Sequence, residues 1–178
     1  ASLNRMGTTT STTAQRNLSA SELGAWGGML RMQILLTRQL DAELSQQHGI
    51  TTSDYEVLMF LAHAPQHRMR MSELSESALI SQSGVTRLVD RLERRGLIER
   101  QDCPDDRRGQ FAVLTDTGYR TIRDASVTHV SGIRDSFLRH LDESEQEMLG
   151  AFWERIMPGT GDALSPLLRS ASSMTEKE

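Results

Sequence analysis

The sequence predicts a mainly α-helical (α+β) fold in which one short β-hairpin interrupts a series of helices. Apolar residues recur at helical spacing over most of the chain from residue 19 to residue 157. A polar segment containing Pro104 and Gly109 separates two short runs that are typical of strands. Only 4% of the 178 residues are aromatic, so aliphatic and methionine side chains must build most of the core.

The N-terminal part of the chain predicts a polar tail followed by a long helix. Residues 1–18 are polar and of low complexity, which is typical of a disordered tail or a tag. Residues 19–50 carry apolar side chains at helical spacing, with Ser19 and Ser21 as candidate caps. Gly49 provides the stop signal.

The next segment predicts three helices joined by short turns. The second helix begins at Ser53, with Glu56 completing a capping box. A short third helix has Ser72 as its cap, and after a tight turn the fourth helix spans roughly Ser83–Arg95. Gly96 ends the fourth helix.

The fourth helix has an apolar face and a hydrogen-bonding face. The apolar stripe is Val85, Leu88, Val89 and Leu92. The opposite side offers groups that can bind base edges or phosphates, namely Gln82, Ser83, Thr86, Arg87, Arg91 and Arg94. Asp90 is predicted to pair within the helix, with Arg87 or Arg94. Such a helix fits a major groove of about 12 Å, although taken alone this face is more typical of a solvated helix surface.

The hairpin that follows favours nucleic-acid binding. Its predicted strands are Leu97–Arg100 and Gln110–Leu114. At the tip, Arg107 and Arg108 suit insertion into a minor groove, and Asp106 can orient Arg108 by a charge-assisted hydrogen bond. A basic hairpin directly after a helix-turn-helix predicts a winged helix-turn-helix DNA-binding region over residues 51–116.

The C-terminal part predicts two helices that pair with a second copy of the chain. The fifth helix runs from a cap at Thr115 or Asp116 to about Leu141, and a capping box at Asp142 opens the sixth, to about Met157. The fifth helix would be roughly 40 Å long, and it has more apolar surface than the winged helix-turn-helix region of residues 51–116 can cover. Residues 19–50 and 117–157 are therefore predicted as dimerisation helices, and residues 158–178 as a mobile segment.

The charge distribution is compatible with a double-stranded DNA partner. The net charge is −4, but the basic residues are arginines apart from Lys177, and many lie between Arg68 and Arg108. A homodimer would place its two DNA-contacting fourth helices about one DNA turn, ~34 Å, apart. The predicted operator is an inverted repeat.

Five segments of the chain also match a family pattern: Met71–Leu74, Ser83–Glu93, Arg95–Arg100, Asp105–Arg108 and Leu114–Gly118. Together they resemble the MarR family of bacterial regulators, and the order of helices extends the resemblance to about residues 20–157. The resemblance implies a homodimer held by the first, fifth and sixth helices. It also implies that the helix from about Ser81 reads the major groove and that Arg108 enters the minor groove. Most similar members are repressors that release DNA on binding a small, often phenolic, molecule.

The effector pocket is the least specific prediction. Trp26, Met29, Met32, Met59 and His63 are candidates because soft and amphipathic side chains suit such pockets. For each of them singly, ordinary core packing is the favoured alternative.

Other chemistry is absent from the sequence pattern. The five histidines form no ligand cluster, so no metal or cofactor is expected, and no catalytic constellation indicates an enzyme. Cys103 is expected to be a surface thiol without a redox role. A chain without a long apolar run is expected to be cytoplasmic. The alternative function is a ligand- or protein-binding dimer without DNA activity.

Overall fold

The computed structural model describes residues 17–78, 80–103 and 106–159, except for the side chains of residues 106–108. The helices in this part are α1 (Ala20–His48), α2 (Thr52–His63), α3 (Met71–Ser77), α4 (Gln82–Arg94), α5 (Asp116–Ser136) and α6 (Glu143–Ile156). The strands are β1 (Arg68–Arg70), β2 (Ile98–Cys103) and β3 (Asp106–Leu114), and 3-10 turns occupy Pro65–His67 and Leu138–His140. This element order confirms the predicted fold class, a winged helix-turn-helix flanked by helices.

The strands form one antiparallel sheet in the order β1-β3-β2. Phe111 of β3 pairs with Arg70 on one side and with Gln101 on the other. The β2–β3 hairpin was predicted, although its strands are longer than expected. The three-residue strand β1 was missed because alternation over so short a run gives no sequence signal.

The core lies within residues 36–178, which form one of two compact units of the chain. The predicted apolar stripe of α4 is confirmed as part of this core, since all four of its side chains are buried: Val85, Leu88, Val89 and Leu92. They pack in one cluster with side chains of every neighbouring element, including Leu44, Leu58, Leu74, Ile98 and Ile122. Helix α4 is therefore held by its apolar face, which leaves its polar face outward.

Residues 1–35 form the other unit, of which the structure describes residues 17–35. Ser19 caps α1 as predicted, since the Glu22 amide donates to its hydroxyl at 3.3 Å. Large apolar side chains of this half of α1 are exposed, namely Leu23, Trp26, Met29, Ile34 and Leu35. A helix that leaves so much apolar surface uncovered is typical of an interaction surface.

Two of the predicted helix caps are wrong. The N-cap of α2 is Thr51, not Ser53: its hydroxyl accepts from the Asp54 amide, and the Asp54 carboxylate accepts from the Thr51 amide at 3.0 Å. The earlier start is favoured because it also gives hydrogen-bond partners to the Asp54 carboxylate, which is 1% exposed. At α3, the Arg70 amide donates to the Glu73 carboxylate at 3.0 Å, so the helix begins one residue before Ser72.

The fifth helix is shorter than predicted. It has 21 residues and ends at Ser136, where Phe137 leaves the helical conformation and a 3-10 turn follows. Its length is therefore about 32 Å. Its apolar side chain Ile122 is 1% exposed and belongs to the core formed with α2, α4 and the sheet. The Asp142 capping box that opens α6 is confirmed.

Several predictions fall on residues outside the described ranges. They concern the polar tail (residues 1–16), the turn at residue 79, the hairpin tip at residues 104–105 and the C-terminal segment (residues 160–178). Among the residues that are described, no helix has the length and apolar character needed to cross a membrane.

Candidate nucleic-acid interface

The outer face of α4 presents the polar side chains that the sequence singled out. Gln82, Ser83, Thr86, Arg87 and Arg94 are all exposed, as is the cap residue Ser81. Arg87 and Arg94 each donate from Nε to a carbonyl four residues earlier, at 3.2 and 3.1 Å. These bonds hold both side chains along the helix, so their positive charges lie on its polar face.

A tight turn fixes the start of this helix. The Ser81 hydroxyl accepts from the Gly84 amide at 3.2 Å. In the same turn, the Ser75 hydroxyl of α3 donates to the Ile80 carbonyl at 2.6 Å, and the Ser75 carbonyl accepts from the Ile80 amide at 3.2 Å. A Cβ on Gly84 would lie 2.5 Å from Cγ2 of Ile80. Glycine is therefore required here by close packing. The role of Ser75 was not predictable from the sequence, because it depends on the turn geometry.

Arg91 was predicted to face DNA, but in the structure its side chain is bonded to Asp54 of α2. Its Nε and Nη2 donate to Asp54 Oδ1 at 3.1 and 2.6 Å, and Nη2 also reaches the Thr51 hydroxyl at 3.3 Å. Asp54 is almost fully buried, so this contact compensates a charge that water cannot reach. Arg91 thus ties α4 to the start of α2. Sequence reasoning missed it because the partners are 37 residues apart.

The predicted intrahelical pairing of Asp90 is wrong. Its carboxylate accepts from Arg100 Nη2 of β2 at 2.5 Å, and Glu93 accepts from Arg100 Nη1. The Arg100 side chain is only 20% exposed. We call these three side chains the Arg100 triad. It joins the fourth helix to the hairpin, and the strand alternation of Leu97–Arg100 gave no indication of it.

The hairpin places its two arginines close to its end. Cys103 and Asp106 form the outermost pair of the ladder, so Arg107 and Arg108 follow immediately on β3. The side chains of Asp106, Arg107 and Arg108 lie outside the described part, and their predicted roles stay predictions. Cys103 is 4% exposed, which overturns the expectation of a surface thiol. The prediction failed because the strand continues past Arg100, so Cys103 is not in a loop.

Comparison with known proteins shows the family. A model of the MarR family matches residues 48–109. The chain is 30% identical over 132 residues to the transcriptional regulator PecS of Dickeya dadantii (strain 3937), covering 73% of this chain and 78% of that protein. The chain belongs to the MarR family. Its relatives are transcriptional regulators and not enzymes, in agreement with the sequence.

Solved MarR-family structures share the fold over most of the chain. Sco3205 from Streptomyces coelicolor, solved in complex with DNA, is 37% identical with a TM-score of 0.75, over 81% of this chain and 91% of that one. AbsC from the same organism is 34% identical with a TM-score of 0.71, over 89% and 99%. Arg87 on α4 and the arginines of the hairpin therefore lie on the winged helix-turn-helix of a MarR-family regulator.

The predicted effector residues of this MarR-family chain are divided between the two units. Trp26 and Met29 belong to the unit of residues 1–35 and are 53% and 39% exposed. Met59 is partly buried against the core of the winged unit, as the core-packing alternative predicted. His63 Nδ1 donates to the Met59 carbonyl at 2.7 Å. Their role in ligand binding stays a prediction.

A polar cluster between α2 and α5 went unnoticed in the sequence. The ring of His129 stacks on Tyr55 at 4.3 Å, and the Tyr55 hydroxyl donates to Ser126 at 3.3 Å. Nδ1 of His129 is buried without a hydrogen-bond partner. Burial lowers the pKa of His129, and the nearby charge of Glu43 partly opposes that change. Among the described residues, no three His, Cys, Asp or Glu side chains are grouped as metal ligands.

Proposed function

We propose that the protein is a homodimeric repressor that binds an inverted-repeat DNA operator and releases it on binding a small aromatic or phenolic molecule. The observation that carries the proposal is the outward polar face of α4, directly followed by a hairpin with two arginines near its end. This pairs a helix of major-groove size with a finger that suits the minor groove. DNA is bound by the solved relative Sco3205, which supports the same partner here.

The DNA contacts divide between reading and positioning. In our proposal, Arg87 reads a base edge or a phosphate near the start of the helix, and Gln82, Ser83 and Thr86 contact the same groove. Ser81 and the N-terminus of α4 face a phosphate, and Arg94 contacts the backbone further along. Arg107 and Arg108 enter the minor groove, with Asp106 orienting Arg108. Arg91 stabilises the position of α4 through its bond to Asp54 of α2.

A dimer accounts for the apolar surface that the single chain leaves uncovered. On α6, Met148, Phe152 and Ile156 are 70%, 38% and 54% exposed. On α1, Trp26 and Ile34 are each 53% exposed. Large side chains at helical spacing favour a second copy of the chain as the covering partner, and twofold symmetry requires a palindromic operator.

The alternative is a ligand- or protein-binding dimer without DNA activity. A salt titration with duplex DNA separates the two, because phosphate contacts make the logarithm of affinity fall steeply with the logarithm of salt concentration. The arginines at the hairpin favour the DNA-binding function.

Selection of bound fragments from genomic DNA tests the proposal directly. We expect an inverted repeat with half-sites centred about one helical turn, ~34 Å, apart. Recovery of unrelated sequences, or of none in dilute buffer, would contradict it. A reporter gene behind the recovered site then distinguishes a repressor from an activator, and benzoate with its hydroxylated derivatives serves as a first effector set.

Two substitutions assign the contacts on the recovered operator. Arg87→Ala should weaken specific binding by about 1–3 kcal/mol if Arg87 reads a base. Arg108→Ala should weaken binding to many sequences alike. The matched control is Arg123→Ala on the exposed face of α5, where Arg123 pairs only locally with Asp124 at 2.9 Å. Unchanged binding by either test variant would remove that residue from the interface.

A further inference from the structure

We propose that Arg100 is a positioning residue for DNA recognition, because the Arg100 triad fixes the angle between α4 and the β2–β3 hairpin. This inference rests on the proposed function, since it concerns how the two DNA-contacting elements are held relative to each other. Arg100 contacts no DNA in this proposal and acts through the hairpin that carries Arg107 and Arg108.

Three bonds from one residue connect β2 to the helix. Arg100 Nη2 donates to Asp90 Oδ1 at 2.5 Å, Nη1 donates to Glu93 Oε2, and the backbone amide of Arg100 donates to Glu93 Oε1 at 3.3 Å. Asp90 and Glu93 are three residues apart and share one side of α4. A single planar guanidinium thus spans two carboxylates, which a lysine ammonium cannot reproduce.

The direction of Arg100 argues against a DNA contact. It pairs in the ladder with Ala112, which is 0% exposed, and directly opposite residues of a ladder point to the same face of the sheet. Arg100 therefore lies on the face that packs on the core and α4. The two carboxylates also outweigh its single positive charge, so the Arg100 triad as a whole has no attraction for phosphate.

Because the Arg100 triad lies between the base and the end of the hairpin, a small tilt at the triad displaces the hairpin end. The core holds the hairpin at its base, where the ladder pair Ile98 and Leu114 is buried. Beyond Arg100, the side chains of Gln101 and Asp102 are exposed, and Cys103 at the end of β2 is buried. The three residues from Arg100 to Cys103 extend about 10 Å, so a tilt of about 10° moves the hairpin end by roughly 2 Å. That displacement exceeds the tolerance of a hydrogen bond.

Arg100→Lys tests the proposal in the full-length chain, because it keeps the charge and removes the fork. Without DNA, hydrogen exchange of the amides of β2 and β3 should accelerate while that of the buried part of α4 stays as in the wild type. With DNA, affinity for the selected operator duplex should fall about tenfold, because Arg107 and Arg108 are displaced from their positions in the groove.

The matched control is Arg123→Lys, the same change in the exposed pair with Asp124, which should alter none of these quantities. A wild-type exchange pattern and operator affinity in Arg100→Lys would overturn the proposal. Lost operator affinity with a wild-type exchange pattern would also overturn it, because Arg100 would then act at the DNA and not through the hairpin. If Arg100→Lys does not fold, Asp90→Ala with Glu93→Ala removes the two acceptors and must give the same faster exchange of the hairpin. If the wild type binds no duplex, the proposed function fails while hydrogen exchange still decides the structural claim.

Discussion

Asp54 is a buried carboxylate that contributes to two helices at once. It caps α2 through its bonds with Thr51, and it accepts two bonds from Arg91 of α4. Its side chain is 2% exposed, whereas Arg91 remains 44% exposed. The carboxylate therefore depends on its partners far more than the guanidinium does, because the guanidinium keeps access to water.

Asp54→Ala should lower the free energy of unfolding by about 2–4 kcal/mol, since it removes a helix cap together with a buried ion pair. Urea denaturation measures this change. Asp124→Ala, in the exposed pair with Arg123, should stay within about 0.5 kcal/mol of the wild type. Equal effects of the two substitutions would show that the Asp54 contacts contribute no more than a surface pair.

His129 is expected to make stability depend on pH. Its pKa in the folded protein is lowered from 6.5 by burial, so the unfolded chain binds the proton more readily in the window below 6.5. The free energy of unfolding should therefore fall as the pH decreases through that window. His129→Phe, which keeps a ring against Tyr55, should lose less stability than the wild type between about pH 8 and about pH 5.5.

Denaturation curves at the two pH values provide the measurement. His140→Gln serves as the control because His140 is exposed. A wild-type pH dependence in His129→Phe would assign the effect to other groups.

The junction of β3 and α5 explains why the segment Leu114–Gly118 has its particular residues. Thr115 accepts from the Gly118 amide at 3.0 Å and donates to the Gly96 carbonyl at 2.7 Å, so one hydroxyl caps α5 and holds the turn after α4. A Cβ on Gly118 would lie 2.1 Å from the Leu97 carbonyl oxygen. Because that contact is with backbone, side-chain rotation cannot relieve it.

Gly118→Ala should consequently destabilise the protein by about 2 kcal/mol or more, although alanine normally favours a helix. Thermal unfolding measures the effect. Thr117→Ala, one residue earlier on the exposed side of the same turn, should change stability by at most about 0.5 kcal/mol. A neutral Gly118→Ala would mean that the start of α5 moves away from Leu97 at little cost.

The elements with local signals were predictable from the sequence. The stripe of α4, the positive-φ stop at Gly96 and the Asp142 box of α6 each depend on a few neighbouring residues. The failures involve partners far apart in the chain, such as Asp54 with Arg91 and Asp90 with Arg100. Periodicity cannot reveal such pairs. The outward face of α4 was predicted correctly, apart from the engagement of Arg91.

At the scale of the whole molecule, the proposed dimer can be tested through α6. Ile156→Glu places a charge on an exposed apolar side chain of that helix and should shift the protein towards monomer at micromolar concentration. Sedimentation measures the change, and operator affinity should fall with it because each half-site then binds separately.

Gly150→Glu introduces the same charge on the side of α6 opposite Met148 and Phe152, at an exposed position where an added Cβ meets nothing within 4 Å, and should leave the dimer intact. If Ile156→Glu remains fully dimeric, α6 does not form the interface. If both variants dissociate, the effect is one of charge and not of position.

The burial of Cys103 gives the molecule a built-in reporter. It is the only thiol in the chain, it ends β2, and it is 4% exposed. Alkylation with an excess of iodoacetamide therefore requires the outer rungs of the wing to open, and its rate measures how often they do. Capture of the wing by an operator should slow the reaction, so one unmodified side chain can follow recognition in solution without any engineered label.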